Sequence, residues 1–237
     1  MEPNNEKKKK LEINMKRVGE LLPSITRRTI TAGRFRFNLT PQEALDILTT
    51  AYCYEVKLRH VEPKIDERTA ENLISLAEFI TSDVPKFGLM FCGTVGNGKT
   101  TLMKALQRSI NYLNDRRHFS FMDDEMYGYR YEPGLRIVDV REILRAAKED
   151  SKAYDTLKTY NVLGIDDLGK EPAEIMDFGN ILSPVIDLIE HRYDKQLFTV
   201  ITTNLVGKEI RAKYGDRIAD RFNEMLHVIV FRNSTYR

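Results

Sequence analysis

One segment of the chain has the residue types and spacing needed to hold phosphate groups: GTVGNGKT, at residues 93–100. It matches the pattern G-x-x-x-x-G-K-[ST] at every fixed position. Its glycines permit backbone conformations with positive φ, so successive N–H groups can converge on phosphate oxygens. Lys99 is placed to reach the β- and γ-phosphates, and Thr100 to hold Mg²⁺. The predicted ATP-binding residues are Gly93, Thr94, Val95, Gly96, Asn97, Gly98, Lys99, Thr100 and Thr101.

The surroundings of this segment favour a phosphate-binding loop over an ordinary glycine-rich surface turn. The apolar run FGLMFC precedes it at residues 87–92, and an amphipathic segment follows it at residues 99–114. A strand that leads through the loop into a helix directs the positive end of the helix at the bound anion.

Two acidic residues follow another apolar run, VLGI at residues 162–165. Acids at the carboxyl end of a parallel strand lie where open α/β sheets bind their ligands. Asp166 is therefore predicted to lie near Mg²⁺, and Asp167 to orient or deprotonate an attacking water. An Asp-Asp pair can also simply end a strand, so the pattern has weight only together with the phosphate loop.

A further apolar segment, FTVITTN at residues 198–204, also ends in polar residues. Asn204 could form a hydrogen bond with the γ-phosphate or with the attacking water. It could equally cap the following turn, which is a common role of asparagine.

The elements that must position these residues alternate between short apolar runs and longer periodic segments. Strands are predicted at residues 87–92, 136–140, 161–165, 198–203 and 227–231, and helices at 99–114, 141–149, 176–192 and 215–226. Because alternating strands and helices require crossover connections, the predicted fold class is α/β, with a largely parallel sheet covered by helices on both faces.

The region before this core is predicted to be helical. Thr40-Pro41-Gln42-Glu43 forms a capping-box pattern, and Asp66 can cap a second helix that ends before Pro85. A short helix is predicted at residues 11–22. The expected division is a basic, partly disordered arm (1–36), an N-terminal helical region (37–84) and an α/β core (85–237).

Charge is distributed unevenly along the 237 residues. Residues 1–36 contain ten Lys/Arg and four Glu, a net +6, and the remainder is about −4 because the total is +2. A basic arm on a mildly acidic body indicates contact with nucleic acid or an acidic protein surface, although a solvated tail has the same composition.

The composition is that of an ordinary globular protein, with 42% hydrophobic and 30% charged residues. The apolar runs are too short to cross a bilayer, and the lysine-rich start lacks the apolar stretch of a secretory signal. Two cysteines form no disulfide framework or metal-ligand spacing. A cytoplasmic location, without membrane contact, is the resulting expectation.

Four segments together resemble the AAA+ ATPases, and more narrowly the DnaC-type replicative helicase loaders and the IstB-type transposition helper ATPases. They are GTVGNGKTTL (93–102), LGIDDLGKEP (163–172), FTVITTNL (198–205) and YGDRIADRF (214–222). The resemblance covers roughly residues 85–232. It implies a P-loop core with a five-stranded parallel sheet, in which the Asn204 strand lies between those of the phosphate loop and Asp166. It also implies that Asn204 is the sensor-1 residue.

The same resemblance places an arginine finger, which reaches the ATP of a neighbouring subunit, at Arg217 or Arg221. The two residues are four apart and so share one helix face. An arginine supplied in trans stabilises charge in the transition state that a lone subunit cannot. Which of the two acts in this way is left open, as is a surface salt bridge with Asp216, Asp220 or Glu224.

Two features depart from the common AAA+ pattern. The usual acid pair is Asp-Glu, and Asp167 is one methylene shorter than Glu, which suggests slow, partner-stimulated hydrolysis suited to a switch. The last predicted strand also lies close to Arg237, so no C-terminal helical lid is expected, as in the loaders.

The function predicted from the resemblance is an ATP-binding switch that loads a replicative DNA helicase onto single-stranded DNA as an ATP-dependent homo-oligomer. The runner-up is a DNA-binding ATPase that assists a transposase. A small-molecule P-loop kinase, and an adaptor that binds ATP but scarcely hydrolyses it, use the same loop and remain as further alternatives.

Two further segments could contact single-stranded DNA. Aromatic residues alternate with arginines at residues 115–135, and could either stack bases or form one face of a hairpin. Arg141, Arg145 and Lys148 form one helical stripe, which could equally be a solvated face.

Overall fold

The computed structural model describes residues 15–17, 19–20, 35–114, 119–120, 134–172, 175–177 and 180–232. The chain divides into two compact units, Met1–Thr31 and Ala32–Arg237. In the first unit, residues 15–17 and 19–20 are helical. The three-part division predicted from the sequence stays a prediction.

The second unit alternates strands with helices. Its strands are β1 (Arg36–Phe37), β2 (Gly88–Gly93), β3 (Phe119–Ser120), β4 (Leu135–Asp139), β5 (Val162–Leu168), β6 (Ile175–Asp177), β7 (Asn180–Leu182), β8 (Phe198–Thr203) and β9 (Leu226–Phe231). Its helices are α1 (Pro41–Lys57), α2 (Glu67–Thr81), α3 (Lys99–Asn114), α4 (Val140–Glu149), α5 (Ser151–Thr159), α6 (Pro184–Asp194) and α7 (Gly207–Met225).

Five strands form a parallel sheet in the order β4-β5-β8-β2-β9. The predicted α/β class with a five-stranded parallel sheet is therefore confirmed. The predicted position of the Asn204 strand is confirmed as well, because β8 lies between β2 and β5.

The sheet is covered on both faces, which explains why its strands are almost continuously apolar. Successive side chains of a strand point to opposite faces. On β2, Leu89 and Phe91 pack in a core cluster with residues of α1, α2 and α3, whereas Met90 packs in a second cluster with residues of α4, α6 and α7. The sheet thus separates two hydrophobic cores, as expected for parallel strands buried on both sides.

The predicted caps of the first two helices are present. Thr40 and Glu43 form the capping box, since Thr40 N–H donates to Glu43 Oε2 at 2.9 Å and Glu43 N–H to Thr40 Oγ1 at 3.3 Å. Asp66 caps α2 by accepting the N–H of Thr69 at 2.7 Å. Both helices bury their apolar faces in the first core cluster, where α1 packs on α3 and α2 packs on α1 and β9.

The helix predicted at residues 176–192 is wrong over its first part. Residues 175–177 and 180–182 pair as the antiparallel strands β6 and β7, and α6 begins only at Pro184. Proline lacks an N–H and disfavours a helical residue before it, so a helix can start there but not continue through.

The last helix also differs from its prediction, because it begins at Gly207 rather than near residue 215. It contains a break at Gly215, whose φ of 84° and ψ of 169° are not helical. Helix α5, which the sequence did not predict, buries only Leu157 and so lacks a clear apolar stripe.

Arg192, near the end of α6, is fully buried. It lies at the amino ends of the parallel strands, whereas the phosphate loop lies at their carboxyl ends. Its guanidinium donates to Tyr160 O at 2.6 Å and Phe198 O at 2.7 Å, where β5 and β8 begin. Further hydrogen bonds reach Thr199 Oγ1, and the carbonyls of Leu157, Lys158 and Asn161. Burial lowers the pKa of Arg192 to about 9, so the group stays charged at neutral pH.

Several predicted features lie wholly or partly outside the described residues. Strand β3 pairs antiparallel with β1, but residues 115–118 and 121–133 of the aromatic and arginine-rich connection are not described. The same is true of most of the basic arm. Among the residues that the structure does describe, no helix has the length and apolar character to cross a membrane.

Candidate functional site

The predicted site residues meet at the carboxyl edge of the parallel sheet. Strands β2, β5 and β8 are adjacent there, so the phosphate loop, the two aspartates and Asn204 follow neighbouring strands. The loop has the positive φ values expected of its glycines, with 148° at Gly93, 85° at Gly96 and 96° at Gly98. At Gly93 a Cβ atom would lie 2.4 Å from the carbonyl oxygen of Phe231, so only glycine fits.

Helix α3 begins immediately after the loop. The first hydrogen bond within the helix runs from Leu102 N–H to Gly98 O at 3.0 Å. The N–H groups of Lys99, Thr100 and Thr101 precede it and belong to the positive end of the helix dipole. This arrangement suits a bound phosphate.

The Lys99 ammonium is folded into the loop. It donates to Gly93 O at 2.8 Å, to Thr94 O at 2.7 Å and to Asn97 Oδ1 at 3.1 Å, and the residue is only 6% exposed. Burial lowers the pKa of Lys99, while the negative charge of Asp167 acts in the opposite direction. The three acceptors are neutral, so an anionic phosphate would be a stronger partner for this cation.

Asn97 connects the loop to the last strand. Its side chain is almost fully buried, and its Nδ2 donates to the carbonyl oxygen of Phe231 at 3.0 Å. The same amide accepts from Lys99 through Oδ1. This link was not predicted, because Asn97 stands at a variable position of the motif and Phe231 is 134 residues away.

Thr100, Asp166 and Thr202 form the polar centre of the site. Asp166 Oδ1 accepts from Thr100 Oγ1 at 3.0 Å and from Thr202 Oγ1 at 2.5 Å. A hydroxyl and a carboxylate side by side fit Mg²⁺, which commonly takes one or two protein oxygens and completes its shell with phosphates and water. Among the described residues, no group of three or more His, Cys, Asp or Glu is placed to hold a metal ion.

Asp167 is set apart from Asp166 by an irregularity in β5. The register with β8 shifts between Ile165 and Leu168, and Asp167 has a φ of 62°. Its N–H donates to Thr202 Oγ1 at 2.8 Å, and its carboxylate forms an ion pair with Lys170. Thr202 thus fixes both aspartates, a role that its position in a buried polar strand end could have suggested.

Asn204 lies directly after β8 and is partly buried, at the same edge of the sheet. Its position is compatible with contact to a bound phosphate and also with capping of the next turn.

Arg217 and Arg221 lie on α7 and both contact Glu190 of α6. Arg217 Nε is 3.1 Å from Glu190 Oε1, and its side chain is 71% exposed. Arg221 Nη1 is 2.9 Å from the same oxygen, without the alignment of a hydrogen bond, and its side chain is only 12% exposed. The Arg221 guanidinium also lies over the Tyr193 ring, 4.8 Å from its centroid. The two arginines therefore share a face but differ in availability.

The acidic residues considered above as salt-bridge partners of Arg217 and Arg221 contact other residues instead. Asp216 and Asp220 pair with Arg211, and Glu224 accepts a hydrogen bond from Tyr193. Glu190 lies more than 25 residues before the arginines, so sequence spacing could not identify it as their partner.

A buried polar cluster links the loop after Asp167 to α7. Glu171 is 3% exposed, accepts the N–H of Gly169 at 2.9 Å and accepts a hydrogen bond from the Tyr214 hydroxyl. Lys213 donates to Gly169 O at 2.6 Å. Burial and the Glu171 hydrogen bond raise the pKa of Tyr214. No sequence pattern indicates this cluster, because its two halves, Gly169 with Glu171 and Lys213 with Tyr214, are separated by more than 40 residues.

No protein-family model matches the chain, and no curated protein matches it. Solved structures do match. The crystal structure of the DnaC helicase loader is 25% identical, covers 74% of this chain and 96% of its own, and has a TM-score of 0.51. DnaI is 21% identical, with coverage of 76% and 89% and a TM-score of 0.51. A putative primosome component from Streptococcus pyogenes serotype M3 is 16% identical, covers 79% and 98%, and also scores 0.51.

The five-stranded parallel sheet and its helices have the α/β P-loop fold of AAA+ proteins, matching that of the DnaC helicase loader. Within that class, the likeness to the DnaC helicase loader confirms the resemblance to DnaC-type loaders that the four sequence segments carry.

Proposed function

We propose that this chain is an ATP-binding AAA+ switch that loads a replicative DNA helicase onto single-stranded DNA, with slow ATP hydrolysis. The observation that carries the proposal is the convergence of Lys99, Thr100 and Asp166 at one sheet edge, in a fold similar to that of the DnaC helicase loader.

The loop residues would bind the triphosphate through backbone N–H groups, which the three positive-φ glycines allow. Lys99 would leave its neutral acceptors for the β- and γ-phosphates, which are stronger partners. Thr100 and Asp166 would hold Mg²⁺, which supplies charge neutralisation at the phosphates when bound.

Slow hydrolysis is supported by the surroundings of Asp167. Its carboxylate is paired with Lys170, and its backbone is held by Thr202. As the residue that orients or deprotonates water, it would first have to release this lysine. Asn204 would contact the γ-phosphate or the water from the neighbouring strand.

Assembly would bring an arginine of α7 to the ATP of an adjacent subunit. Arg217 is the better candidate for the finger, because its side chain is mostly exposed and, within the described part of the chain, contacts one carboxylate, that of Glu190. Arg221 is mostly buried between Glu190, Asp194 and Tyr193, so it is better suited to orient the helix.

The proposal is tested by loading the host's replicative helicase onto a closed single-stranded DNA circle with purified protein and ATP. We expect loading with wild type and none with Lys99→Ala. Arg68→Ala replaces an exposed arginine of α2 that pairs with Glu71; it is the matched surface control and should load normally. ATP binding without helicase capture or loading would refute the loader function, and co-purification with a transposase would favour the transposition helper.

A further inference from the structure

Helix α1 runs antiparallel to α3 and ends beside the phosphate loop. Arg108 of α3 grips Glu55 of α1 through Nε at 2.8 Å and Nη2 at 2.6 Å, and its guanidinium also lies 4.3 Å from the centroid of the Tyr54 ring. Four residues after Glu55, in the turn that follows α1, Arg59 contacts Thr101, which lies seven residues before Arg108 on α3. The turn after α1 is thereby fixed at the N-terminal end of α3.

That turn is well defined by its own hydrogen bonds. The N–H groups of Leu58 and Arg59 donate to Tyr54 O and Val56 O, each at 3.0 Å. The N–H of His60 donates to Lys57 O at 2.9 Å, and His60 has a left-handed φ of 59°. Arg59 therefore projects from an ordered turn, and its guanidinium Nη2 donates to the buried Thr101 hydroxyl.

Within the part of the chain that the structure describes, Arg59 forms no ion pair with a carboxylate, and its contact is with this neutral hydroxyl. A guanidinium carries five donors and prefers bidentate partners with negative charge, such as phosphate. The residue itself is exposed, so donors remain free to reach a ligand.

We propose that Arg59 is a nucleotide-binding residue, which contacts the α-phosphate of the ATP held by the loop. Lys99 and Thr100 would serve the β- and γ-phosphates and the Mg²⁺. Thr101, the next residue of α3, would then be the residue closest to the α-phosphate, and Arg59 donates a hydrogen bond to its side chain. The inference rests on nucleotide binding at the loop, and deepens it by adding a cation from the N-terminal helical region.

The contact also has an electrostatic reason. The negative end of the α1 dipole arrives at a site that binds a polyanion, which is unfavourable. A cation at residue 59 offsets this and adds to the positive end of α3. The N-terminal helices would then sense the bound nucleotide directly, and not only through the sheet.

The experiment measures dissociation constants of the full chain for ATP and for the two diastereomers of ATPαS. Wild type should discriminate between the diastereomers, because sulfur replaces one α-oxygen or the other. We expect Arg59→Ala to bind ATP about tenfold more weakly, as for one lost charge-assisted contact, and to lose the discrimination. Arg59→Lys should recover part of the affinity, and Arg68→Ala should behave as wild type.

The possible outcomes separate this inference from the proposed function. If wild type binds no ATP, the nucleotide site itself is wrong. If wild type binds but Arg59→Ala keeps both its affinity and its discrimination, Arg59 only links the turn after α1 to α3, and the inference is overturned. Thermal unfolding of each variant reports whether the fold is intact, and Arg59→Lys serves as the test should the alanine variant unfold.

Discussion

Two buried cations lie at opposite ends of the parallel strands: Lys99 at the carboxyl ends and Arg192 at the amino ends. Their hydrogen bonds are of the same kind. Each donates to neutral oxygens, mostly backbone carbonyls, and burial lowers the pKa of each. They differ in where those oxygens belong in the sequence.

The acceptors of Lys99 are local. They lie six, five and two residues before it, all within the phosphate loop. The Arg192 acceptors in α5 and at the start of β5 lie 31 to 35 residues away, and join separate elements. Lys99 can therefore leave its partners without breaking a tertiary contact, whereas Arg192 cannot. Burial alone therefore does not distinguish a cation that can change its partners from one that stabilises the fold.

The largest effect is expected from Arg192→Leu. It leaves buried carbonyl and hydroxyl acceptors without donors, and should lower the free energy of unfolding by about 3–5 kcal/mol. Urea denaturation checks this. Arg192→Lys retains the charge but has only three donors, so its free energy of unfolding should lie between those of wild type and Arg192→Leu. A loss below about 1 kcal/mol for Arg192→Leu would mean that water replaces the guanidinium.

Lys99→Met should have the opposite effect: little change in the free energy of unfolding and a large loss of ATP affinity. Its three acceptors can be satisfied within a small loop, so the free energy of unfolding should change by less than about 1 kcal/mol. ATP affinity should fall about a hundredfold, because the main phosphate-binding cation is gone. Fluorescent-nucleotide titration and urea denaturation of the same samples measure both. Equal losses of stability in this variant and in Arg192→Leu would contradict the comparison.

The smallest effect is expected at α7, where the same contrast recurs within one helix. Arg221→Ala should lower the free energy of unfolding by about 1–2 kcal/mol through lost packing on Tyr193 and the loss of one of the two arginines that contact Glu190. Arg217→Ala should leave stability within about 0.5 kcal/mol but reduce ATP turnover of the assembled protein. Turnover measured against protein concentration, beside a urea titration, distinguishes the two. A stability loss at Arg217 alone would reverse the assignment.

The sheet was predictable because its strands are apolar runs bounded by polar or glycine residues. All five were located within three residues at each end, and the acids and asparagine at their carboxyl ends followed from the parallel arrangement. The loop was predictable because its chemistry depends on consecutive residues. The roles of these residues in binding and hydrolysis stay predictions.

The remaining features depend on contacts that sequence spacing does not encode. Nothing distinguishes Arg192 from a surface arginine at a helix end, or Glu171 from a charged loop residue. The hairpin β6–β7 falls in the segment 176–192, whose periodic spacing of apolar residues predicts a helix, and Pro184 was the unused signal. Arg59 lies between two helices without a motif, so only the packing of α1 on α3 reveals its position.

The break at Gly215 has a consequence for mutational tolerance. Outside its chain neighbours and the backbone of its own helix, no atom lies within 4 Å of where its Cβ would be, so a Cβ would have room. Its φ and ψ nevertheless fall in a region essentially confined to glycine, where even asparagine is disfavoured. A library randomised at this position should retain almost only glycine. The direction of the helical segment with Arg217 and Arg221 depends on a backbone conformation at residue 215 that glycine alone adopts readily.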